Sequence, residues 1–276
     1  MPLGLAASLG LGAPRSATSS GSVPPSGGGP EITNAKSALF DGTADWYQVG
    51  NDSSMVPTTF SIAAWVRPAA QGYGQIFDAT TSSSYWLGYH LRYSSNGTLK
   101  NFRFGPYKAS SSSWVDSTDT VDVDAWGFVV ATYDNATTTA KIYVNAGTPV
   151  TNTGIIGFSA SNPAKVRIGD MTSVSGSYTW DGHMDDVAFW NVALSAAEIT
   201  EIYGLKGSGE LANLNADSGN YASADNLVGW WRMGDNDTDP SAVENMATGS
   251  ASGGSAVDLA QSTASKQPSF TTEIPS

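Results

Sequence analysis

The feature of this sequence that most limits its possible folds is a regular recurrence of short strand-like segments from residue 37 onward. Each segment is rich in aromatic and β-branched residues and is bounded by Gly, Asn, Asp or Pro. The segment "FSIAAWVRP" places Phe60, Ile62 and Val66 on one face of an extended chain, and Pro68 ends the run. A period of two, broken by turn residues, is typical of an antiparallel all-β sandwich or jelly roll.

The segment "DGHMDDVAFWNVALSAAEITEIY", residues 181–203, contains a strand followed by the start of a helix. An extended chain would place two sets of side chains on opposite faces: Met184, Asp186, Ala188 and Trp190 against Asp185, Val187 and Phe189. Apolar side chains on both faces predict a strand that is covered on both sides. Ser195 is followed three residues later by Glu198, which is a capping-box signature and predicts one short helix.

Composition divides the chain into three parts. Residues 1–34 include "SATSSGSVPPSGGGP" and predict a flexible N-terminal arm, which is either disordered or ordered on a neighbouring subunit. Residues 35–240 carry the strand signals and form the predicted domain. Residues 241–276 are rich in Ser, Ala and Gly and predict a loosely ordered C-terminal tail.

Charge and composition exclude several classes of function. The 25 acidic and 13 basic residues give a net charge of −12, which disfavours binding to nucleic acid. No segment approaches the roughly 20 apolar residues of a membrane span. The absence of cysteine excludes disulfides and thiolate metal sites.

The order of the motifs resembles a known family. They are "LFDGTADWYQVG", "FSIAAWVRP", "WGFVVATYDNATTTAKIYVNAG", "VRIGD" and "WDGHMDDVAFWNVALSAAEITEIY". This order resembles the laminin-G-like branch of the concanavalin A-like lectin/glucanase superfamily over roughly residues 37–203, and "LVGWWRMGD" extends the resemblance towards residue 235. It implies an all-β fold of two antiparallel sheets packed as a jelly-roll sandwich, with one short helix and extended terminal arms.

The resemblance also implies a structural calcium site. In such domains the acid-rich strand returns beside the first strand, so Asp41 would meet Asp185 or Asp186. Carboxylate oxygens gathered from turns and strand ends are the ligands that Ca²⁺ requires. The alternative is that Asp41 only shapes a turn and that Asp186 only accepts backbone hydrogen bonds.

Three aromatic residues are candidates for carbohydrate binding, because they lie in Ser- and Gly-rich segments: Trp114, Tyr178 and Trp180. An aromatic ring offers a large apolar contact area to a sugar ring. The tryptophans that alternate with apolar residues are predicted to lie in the core: Trp65, Trp126, Trp190 and Trp230.

The sequence does not predict an enzyme. Glycanases need two carboxylates at a defined separation across a cleft, and no E-x-D-x-x-E run is present. His90 is predicted to be a sheet residue, and no nucleophile motif adjoins it or His183, the second histidine. The acidic segment "GDNDTDP" has Pro240 where an EF-hand loop needs Gly, and it is predicted to be a solvated loop.

Two classes of function fit these observations. The preferred one is a structural protein of a tailed-phage virion, a surface, decoration or fibre subunit that assembles with itself or with other virion subunits through residues 1–34 and contacts host glycans. The chain layout resembles that of laminin-G-like phage proteins. The alternative is a carbohydrate-binding lectin module that is secreted or held at a cell surface, and is therefore extracellular.

Overall fold

The computed structural model describes residues 31–50, 52–81, 84–95, 100–108, 111–112, 114–155, 166–171, 178–207 and 209–276. The predicted arm, residues 1–34, lies outside the described residues except for its last four. The described chain forms two large antiparallel sheets with one α-helix, which confirms the all-β sandwich.

The strands in chain order are β1 (Ile32–Thr33), β2 (Ser37–Asp41), β3 (Tyr47–Val49), β4 (Phe60–Pro68), β5 (Tyr73–Thr81), β6 (Ser84–Ser95), β7 (Lys100–Lys108), β8 (Ser111–Ser112), β9 (Val115–Asp116), β10 (Gly127–Asp134), β11 (Thr139–Val144), β12 (Val150–Asn152), β13 (Val166–Ile168), β14 (Asp181–Trp190), β15 (Glu210–Leu211), β16 (Leu227–Trp231), β17 (Ala242–Val243), β18 (Leu259–Ala260) and β19 (Ser269–Thr271). The helix α1 spans Ala196–Gly204, and 3₁₀ turns span Ser53–Met55, Ala224–Asn226, Gly254–Val257 and Ala264–Lys266.

The strands form two sheets that face each other, with β1 and β15 as a separate pair. The eight-stranded sheet has the order β12-β11-β10-β4-β14-β2-β19, and β16 also pairs with β14. Strands β2 and β16 lie end to end along one edge of β14, because β2 pairs with its first half and β16 with its second half. The nine-stranded sheet has the order β17-β18-β3-β13-β5-β6-β7-β8, and β9 also pairs with β7.

The main hydrophobic core lies between the two sheets. Its centre is a group of aromatic rings from both sheets, in which Phe189 stacks on Phe77 at 5.7 Å and on Tyr89 at 5.8 Å between ring centroids. Phe60 adds a contact with Tyr89 at 4.4 Å. Stacked or edge-on ring pairs stabilise a core by about 0.5–1.5 kcal/mol beyond their buried area.

A second hydrophobic cluster covers the outer face of the eight-stranded sheet. Trp65 and Trp190 on that face pack against Ile199 and Ile202 of α1. The helix begins as predicted, because Ser195 and Glu198 form the complete capping box.

A β-bulge in β14 changes the predicted faces of that strand. The pairing with β4 shifts between Asp185 and Ala188, and Asp186 has a φ of 42°. As a result Met184 lies in the main core together with Val187, although strict alternation places them on opposite faces. The predicted partition of this strand into two faces was therefore wrong on the N-terminal side of the bulge.

The boundaries predicted for the two terminal segments also differ from the structure. Asn34, assigned to the arm, is buried, and strand β1 pairs with β15. The segment predicted as a loose tail contributes β17 and β18 to one sheet and β19 to the other. It also places Val257 and Leu259 in the main core. Within the described residues, no helix is long and apolar enough to cross a membrane.

The acidic loop after β16 is a structural element rather than a solvated loop. Asp235 accepts hydrogen bonds from the backbone N–H groups of Ala35 and Lys36, both at 2.8 Å. Asp237 is buried and accepts from the N–H of Glu244 at 3.0 Å. Asp235 thus fixes the chain just before β2, and Asp237 fixes the chain near β17, whereas Asn236, Thr238 and Asp239 are exposed. The prediction of a solvated loop was therefore wrong for the first two acids of the segment.

Candidate functional site

Two rows of polar side chains cross the outer face of the nine-stranded sheet. Tyr89, Leu91 and Tyr93 of β6 point into the core, so the alternate residues of that strand point outward. The first row follows the register of four strands and consists of Gln48, Arg167, Asp78 and His90. The second row consists of Gln75, Arg92, Arg103 and Asp116.

The first row is mostly buried. Asp78 and His90 have no exposed surface, and Arg167 is 8% exposed. Burial, together with the positive charges of Arg92 and Arg103, holds the pKa of His90 well below its usual value, so the imidazole ring is neutral near pH 7. A buried, neutral histidine in a sheet agrees with the prediction for His90.

Arg167 is held firmly in this row. Its guanidinium lies 4.1 Å from the ring centroid of Trp46, and Nη1 donates to the carbonyl oxygen of Met171 at 3.1 Å and to Asp170 at 3.4 Å. An arginine stacked on an indole and paired with a buried carboxylate is a rigid support. Arg167 is therefore held rigidly in the row that runs beside the more exposed second row.

The second row carries an arginine surrounded by aromatic rings. The guanidinium carbon of Arg92 lies 5.0 Å from the ring centroid of Trp114 and 5.7 Å from those of Tyr73 and Tyr178. The two tyrosine rings meet edge to face at 6.1 Å. We call these four residues the Arg92 cluster. All of them are at least partly exposed, and Tyr73 is the large hydrophobic residue with the greatest exposure in the described chain, at 48%.

Trp114 supports the arginines of the second row. Arg103 lies 5.2 Å from its ring centroid, and the ring of His90 lies 4.3 Å away. Arg103 also forms a two-point ion pair with Asp116, with N···O distances of 2.5 and 2.7 Å. Trp114 is thus engaged by three side chains of its own domain, and Tyr73 is the ring of the cluster that offers the most surface to a ligand.

An open pocket of about 170 Å³ lies next to the cluster and shares Tyr73 with it. Its polar lining includes Gln71, Thr179 and Asp181, and buried Tyr93 and Trp180 line its inner part. We call it the Tyr73 pocket. The pocket thus joins an exposed aromatic ring to hydroxyl, amide and carboxylate groups.

Glycine is required at one wall of this pocket. A Cβ added to Gly74 would lie 2.8 Å from Cε3 of Trp180, closer than side-chain atoms approach. The missing side chain lets the indole pack under the strand, and the Trp180 ring meets Tyr93 edge to face at 6.0 Å. This packing makes Trp180 part of the core and leaves Tyr73 at the surface.

The family model described as the Concanavalin A-like lectin/glucanases superfamily, of laminin-G type, matches residues 41–200. The chain belongs to this superfamily. The resemblance predicted from the motif order is therefore confirmed, and the sandwich is a concanavalin A-like domain. A search of curated proteins found no match to the sequence.

Solved structures with the same fold include proteins named for carbohydrate binding. A candidate carbohydrate binding protein from Bacteroides ovatus aligns with a TM-score of 0.62 at 16% identity over 87% of this chain, which spans 60% of that protein's chain. The CBM40 of the Ruminococcus gnavus IT-sialidase, bound to α2,3-sialyllactose, aligns with a TM-score of 0.50 at 12% identity over 64% of this chain and 97% of that one. At these identities the likeness shows the fold alone.

The concanavalin A-like domain brings two of the three predicted sugar-binding residues together. Trp114 and Tyr178 both contact Arg92. Trp180 is 1% exposed and belongs to the core, so it can contribute only to the lining of the Tyr73 pocket. Tyr73 and Arg92 were not predicted from the sequence. The glycines that flank Tyr73 in "QGYGQ" are the signal that could have marked an exposed ring at the start of a strand.

The domain does not bring the predicted calcium ligands together. Asp41 pairs with Asp181 at one end of β2, whereas Met184, next to Asp185, pairs with Ala38 nearer its other end. Among the described residues, no group of three or more His, Asp or Glu side chains is placed to share a metal ion. The structure therefore separates Asp41 from Asp185 and Asp186, and calcium binding itself stays a prediction.

Asp41 shapes the turn that follows β2. It accepts hydrogen bonds from the backbone N–H groups of Thr43 at 2.8 Å and Ala44 at 3.2 Å, and from the Thr43 hydroxyl at 2.7 Å. Slight burial opposes ionisation, but these hydrogen bonds outweigh it and lower the pKa of Asp41. This arrangement is the turn-shaping alternative considered for Asp41.

Asp185 and Asp186 are buried beside the start of the domain. Asp185 accepts from Nδ2 of Asn34 at 2.8 Å, and Asp186 accepts from the indole Nε1 of Trp230 at 2.8 Å. Burial raises the pKa of both carboxyls, to about 6 for Asp186 and well above the usual value for Asp185, where the Asp186 charge adds to the effect. Arg232, 3.7 Å from Asp186, partly offsets the rise for Asp186.

The virion prediction, with its phage partners and virion location, gains no support from the comparisons.

Proposed function

We propose that the protein is a carbohydrate-binding module that recognises glycans through the Arg92 cluster and the Tyr73 pocket. The observation that carries the proposal is the exposed ring of Tyr73, which lies between the pocket and Arg92. The fold supports it, because concanavalin A-like domains include carbohydrate-binding proteins. Glycans outside the cell are the expected ligands, and an extracellular location goes with them.

The chemistry of the pocket suits a sugar. The apolar face of a pyranose ring packs against aromatic rings such as those of Tyr73 and Tyr178. Sugar hydroxyls need hydrogen-bond donors and acceptors, which Thr179, Gln71 and Asp181 supply at the pocket wall. At about 170 Å³ the pocket is smaller than the roughly 300–1,000 Å³ of most ligand pockets, so it fits one terminal sugar unit.

The same arrangement supports binding without catalysis. Hydrolysis of a glycosidic bond needs an acid and a second carboxylate some 5–10 Å apart across the scissile bond. Asp181 is the one carboxylate among the residues described as lining the Tyr73 pocket. We therefore propose a module that holds a glycan and leaves its bonds intact.

Binding to a glycan array, followed by calorimetric titration of the best ligand, tests the proposal. Tyr73→Ala and Tyr178→Ala should each weaken binding about tenfold or more, because the loss of about 1.4 kcal/mol of ring contact is a factor of ten. Trp126→Ala is the control, since Trp126 is a half-buried aromatic residue that packs with the second cluster on the other sheet. Unchanged affinity in both tyrosine variants, or no glycan bound by the wild type, would refute the proposal.

A further inference from the structure

We infer that the Tyr73 pocket is one end of a longer site, so that the protein binds an oligosaccharide of at least two units. The inference rests on the proposed function and extends its ligand beyond one terminal sugar. It starts from Asp181, which lines the Tyr73 pocket and also a second cavity of about 530 Å³. We call this second cavity the Asp181 groove. Its volume lies within the roughly 300–1,000 Å³ of most ligand pockets, so it has room for further sugar units.

The pocket and the groove lie side by side at one end of the sandwich. Strand β2 ends there at Asp41, which lines the groove, and the next residue, Gly42, lines the pocket. Strand β14 begins at Asp181, directly opposite Asp41 in the register. Asp181 is therefore a wall common to both cavities. A chain of sugars that leaves the pocket across this residue enters the groove.

Hydrogen bonds of the domain itself hold the junction between the two cavities. The backbone N–H of Gly42 donates to the carbonyl oxygen of Trp180 at 3.1 Å, and the Thr179 hydroxyl donates to the carbonyl oxygen of Gly42 at 2.6 Å. The N–H of Ala69 donates to the carbonyl oxygen of Asp181 at 2.9 Å. These bonds fix three segments of the chain around the junction. A ligand would not have to order them, which favours affinity.

The carboxylate of Asp181 is available to accept hydrogen bonds from a ligand at this junction. Asp181 is partly exposed, and its carboxylate forms no hydrogen bond or ion pair within the part of the chain that the structure describes. The other two carboxylates of the groove are engaged, because Asp41 accepts from the N–H of Thr43 and Asp45 accepts from the N–H of Asp41. A charged acceptor binds hydroxyl donors more strongly than a neutral one does.

The neighbouring residue, Trp180, adds a donor that lacks a partner. Trp180 lines the pocket and is 1% exposed, and its buried indole Nε1 has no acceptor among the described residues. Buried N–H groups in proteins are nearly always paired. A sugar hydroxyl group both donates and accepts, so it supplies what the Asp181 carboxylate and the Trp180 indole lack within the domain.

The lining of the Asp181 groove suits a further sugar unit. Its polar part includes the exposed Ser265 and Ser269 and the amide group of Gln267. Hydroxyl and amide groups both donate and accept hydrogen bonds, as sugar hydroxyls do. The first sugar would pack on Tyr73, and the next would lie beyond Asp181 among these groups.

Titration calorimetry with sugars of increasing length tests the inference. The probes are the mono-, di- and trisaccharides of β-1,4-linked glucose, galactose, mannose and xylose, together with the corresponding fragments of any other glycan that the array identifies. In the series that binds, we expect the affinity for the trisaccharide to exceed that for the monosaccharide by about tenfold or more.

Blocking the groove should abolish this gain with length. Ser265→Trp places a large side chain in the groove and should leave the affinity for the monosaccharide within about twofold of the wild type. Ser269→Trp, which enters the groove from β19, is a second blocking variant. Ser262→Trp is the matched control, because Ser262 is an exposed serine nearby that does not line the groove. Melting temperatures confirm that each variant is folded.

Substitution of Asp181 tests the junction itself. Asp181→Ala should weaken binding of the trisaccharide by about tenfold or more, because a hydrogen bond to a charged group is lost. Asp225→Ala is the control, since Asp225 is an exposed acid that lines neither cavity. An affinity for the trisaccharide that is the same in Asp181→Ala and in the wild type would overturn the role given to Asp181.

The outcomes separate the inference from the proposed function. Equal affinities for the monosaccharide and the trisaccharide overturn the inference and leave glycan binding intact. A gain with length that persists in the folded blocking variants also overturns it, because the further units would then lie outside the groove. No binding of any glycan on the array overturns the proposed function and the inference with it.

Discussion

The clearest physical prediction concerns Asp186, a buried carboxyl whose protonation links folding to pH. Burial raises its pKa to about 6 in the folded protein, against about 3.9 in an unfolded chain. A shift of about two units corresponds to about 3 kcal/mol. Since the folded-state value is the higher one, the folded protein binds the proton more tightly than the unfolded chain. This contribution to stability is fully present below about pH 4 and is lost as pH rises through about 6.

Asp186→Asn should remove this loss. The amide oxygen can still accept from the Trp230 indole, and asparagine tolerates the φ of 42° at this position better than most residues. The variant also removes a charge that raises the pKa of Asp185, so the two effects have the same sign. The difference in unfolding free energy between the variant and the wild type should therefore shift in favour of the variant by about 3 kcal/mol from pH 4 to pH 8.

Urea unfolding followed by tryptophan fluorescence, at one-unit steps from pH 4 to pH 8, measures the difference. With m-values of about 1–3 kcal/mol/M, the gap between the two midpoints should change by about 1 M or more across the range. Asp186→Ala is the comparison, because it leaves the buried Trp230 N–H without its acceptor and should be less stable than Asp186→Asn by about 1–3 kcal/mol at every pH. A difference between wild type and Asp186→Asn that stays constant with pH would refute the reasoning.

Three further predictions concern the fold and the calcium site. Gly182→Ala should lower stability by about 3 kcal/mol or more, because φ is 129° and the new Cβ would lie 2.2 Å from a backbone oxygen of β4. Gly72→Ala, where an added Cβ meets nothing within 4 Å, should leave the melting temperature nearly unchanged. Ser195→Ala should lower the free energy of unfolding by about 1 kcal/mol in a denaturant titration, because alanine has no side-chain oxygen to cap α1. Ser195→Gly should lower it by less, because glycine is tolerated better than alanine at an N-cap position. For the calcium prediction, a melting temperature higher in calcium than in chelator would support a structural ion, its loss in Asp41→Asn or in Asp185→Asn would identify the carboxylate that holds it, and equal melting temperatures would exclude it.

The local sequence pattern was sufficient to predict those elements that are determined by residues close together in the sequence. The alternation in "FSIAAWVRP" predicted β4, and the pairing of Ser195 with Glu198 predicted the start of α1. The bulge at Asp186 was missed, because its cause is tertiary. The Asp186 carboxyl accepts a hydrogen bond from a tryptophan 44 residues away, a contact that the local pattern of the strand does not show.

The C-terminal strands were missed for a related reason. The segment "PSFTTEIPS" has little apolar content of its own, and β19 forms because the edge of β2 offers it unpaired hydrogen-bonding groups. Strand propensity reflects such surroundings more than it reflects the residues themselves.

The candidate site could be predicted only in part, because the exposure of each aromatic residue was predicted from the composition of the segment around it. That ranking found Trp114 and Tyr178. It could not distinguish Trp180 from Tyr73, since the packing of an indole under Gly74 decides which ring is buried. The polar rows join residues as distant as Gln48 and Arg167, and strand register alone brings them together.

The pairing of β2 with β19 has a mechanical consequence. The two strands are antiparallel, with Thr271 opposite Ser37, so the chain enters and leaves the pair at the same end. Tension applied between residue 31 and residue 276 would therefore peel β19 from β2, so that their hydrogen bonds break one after another. It would not load all of these bonds in shear at the same time. Such tension would separate the C-terminal strand from β2, whereas the Arg92 cluster belongs to the opposite sheet and would stay assembled.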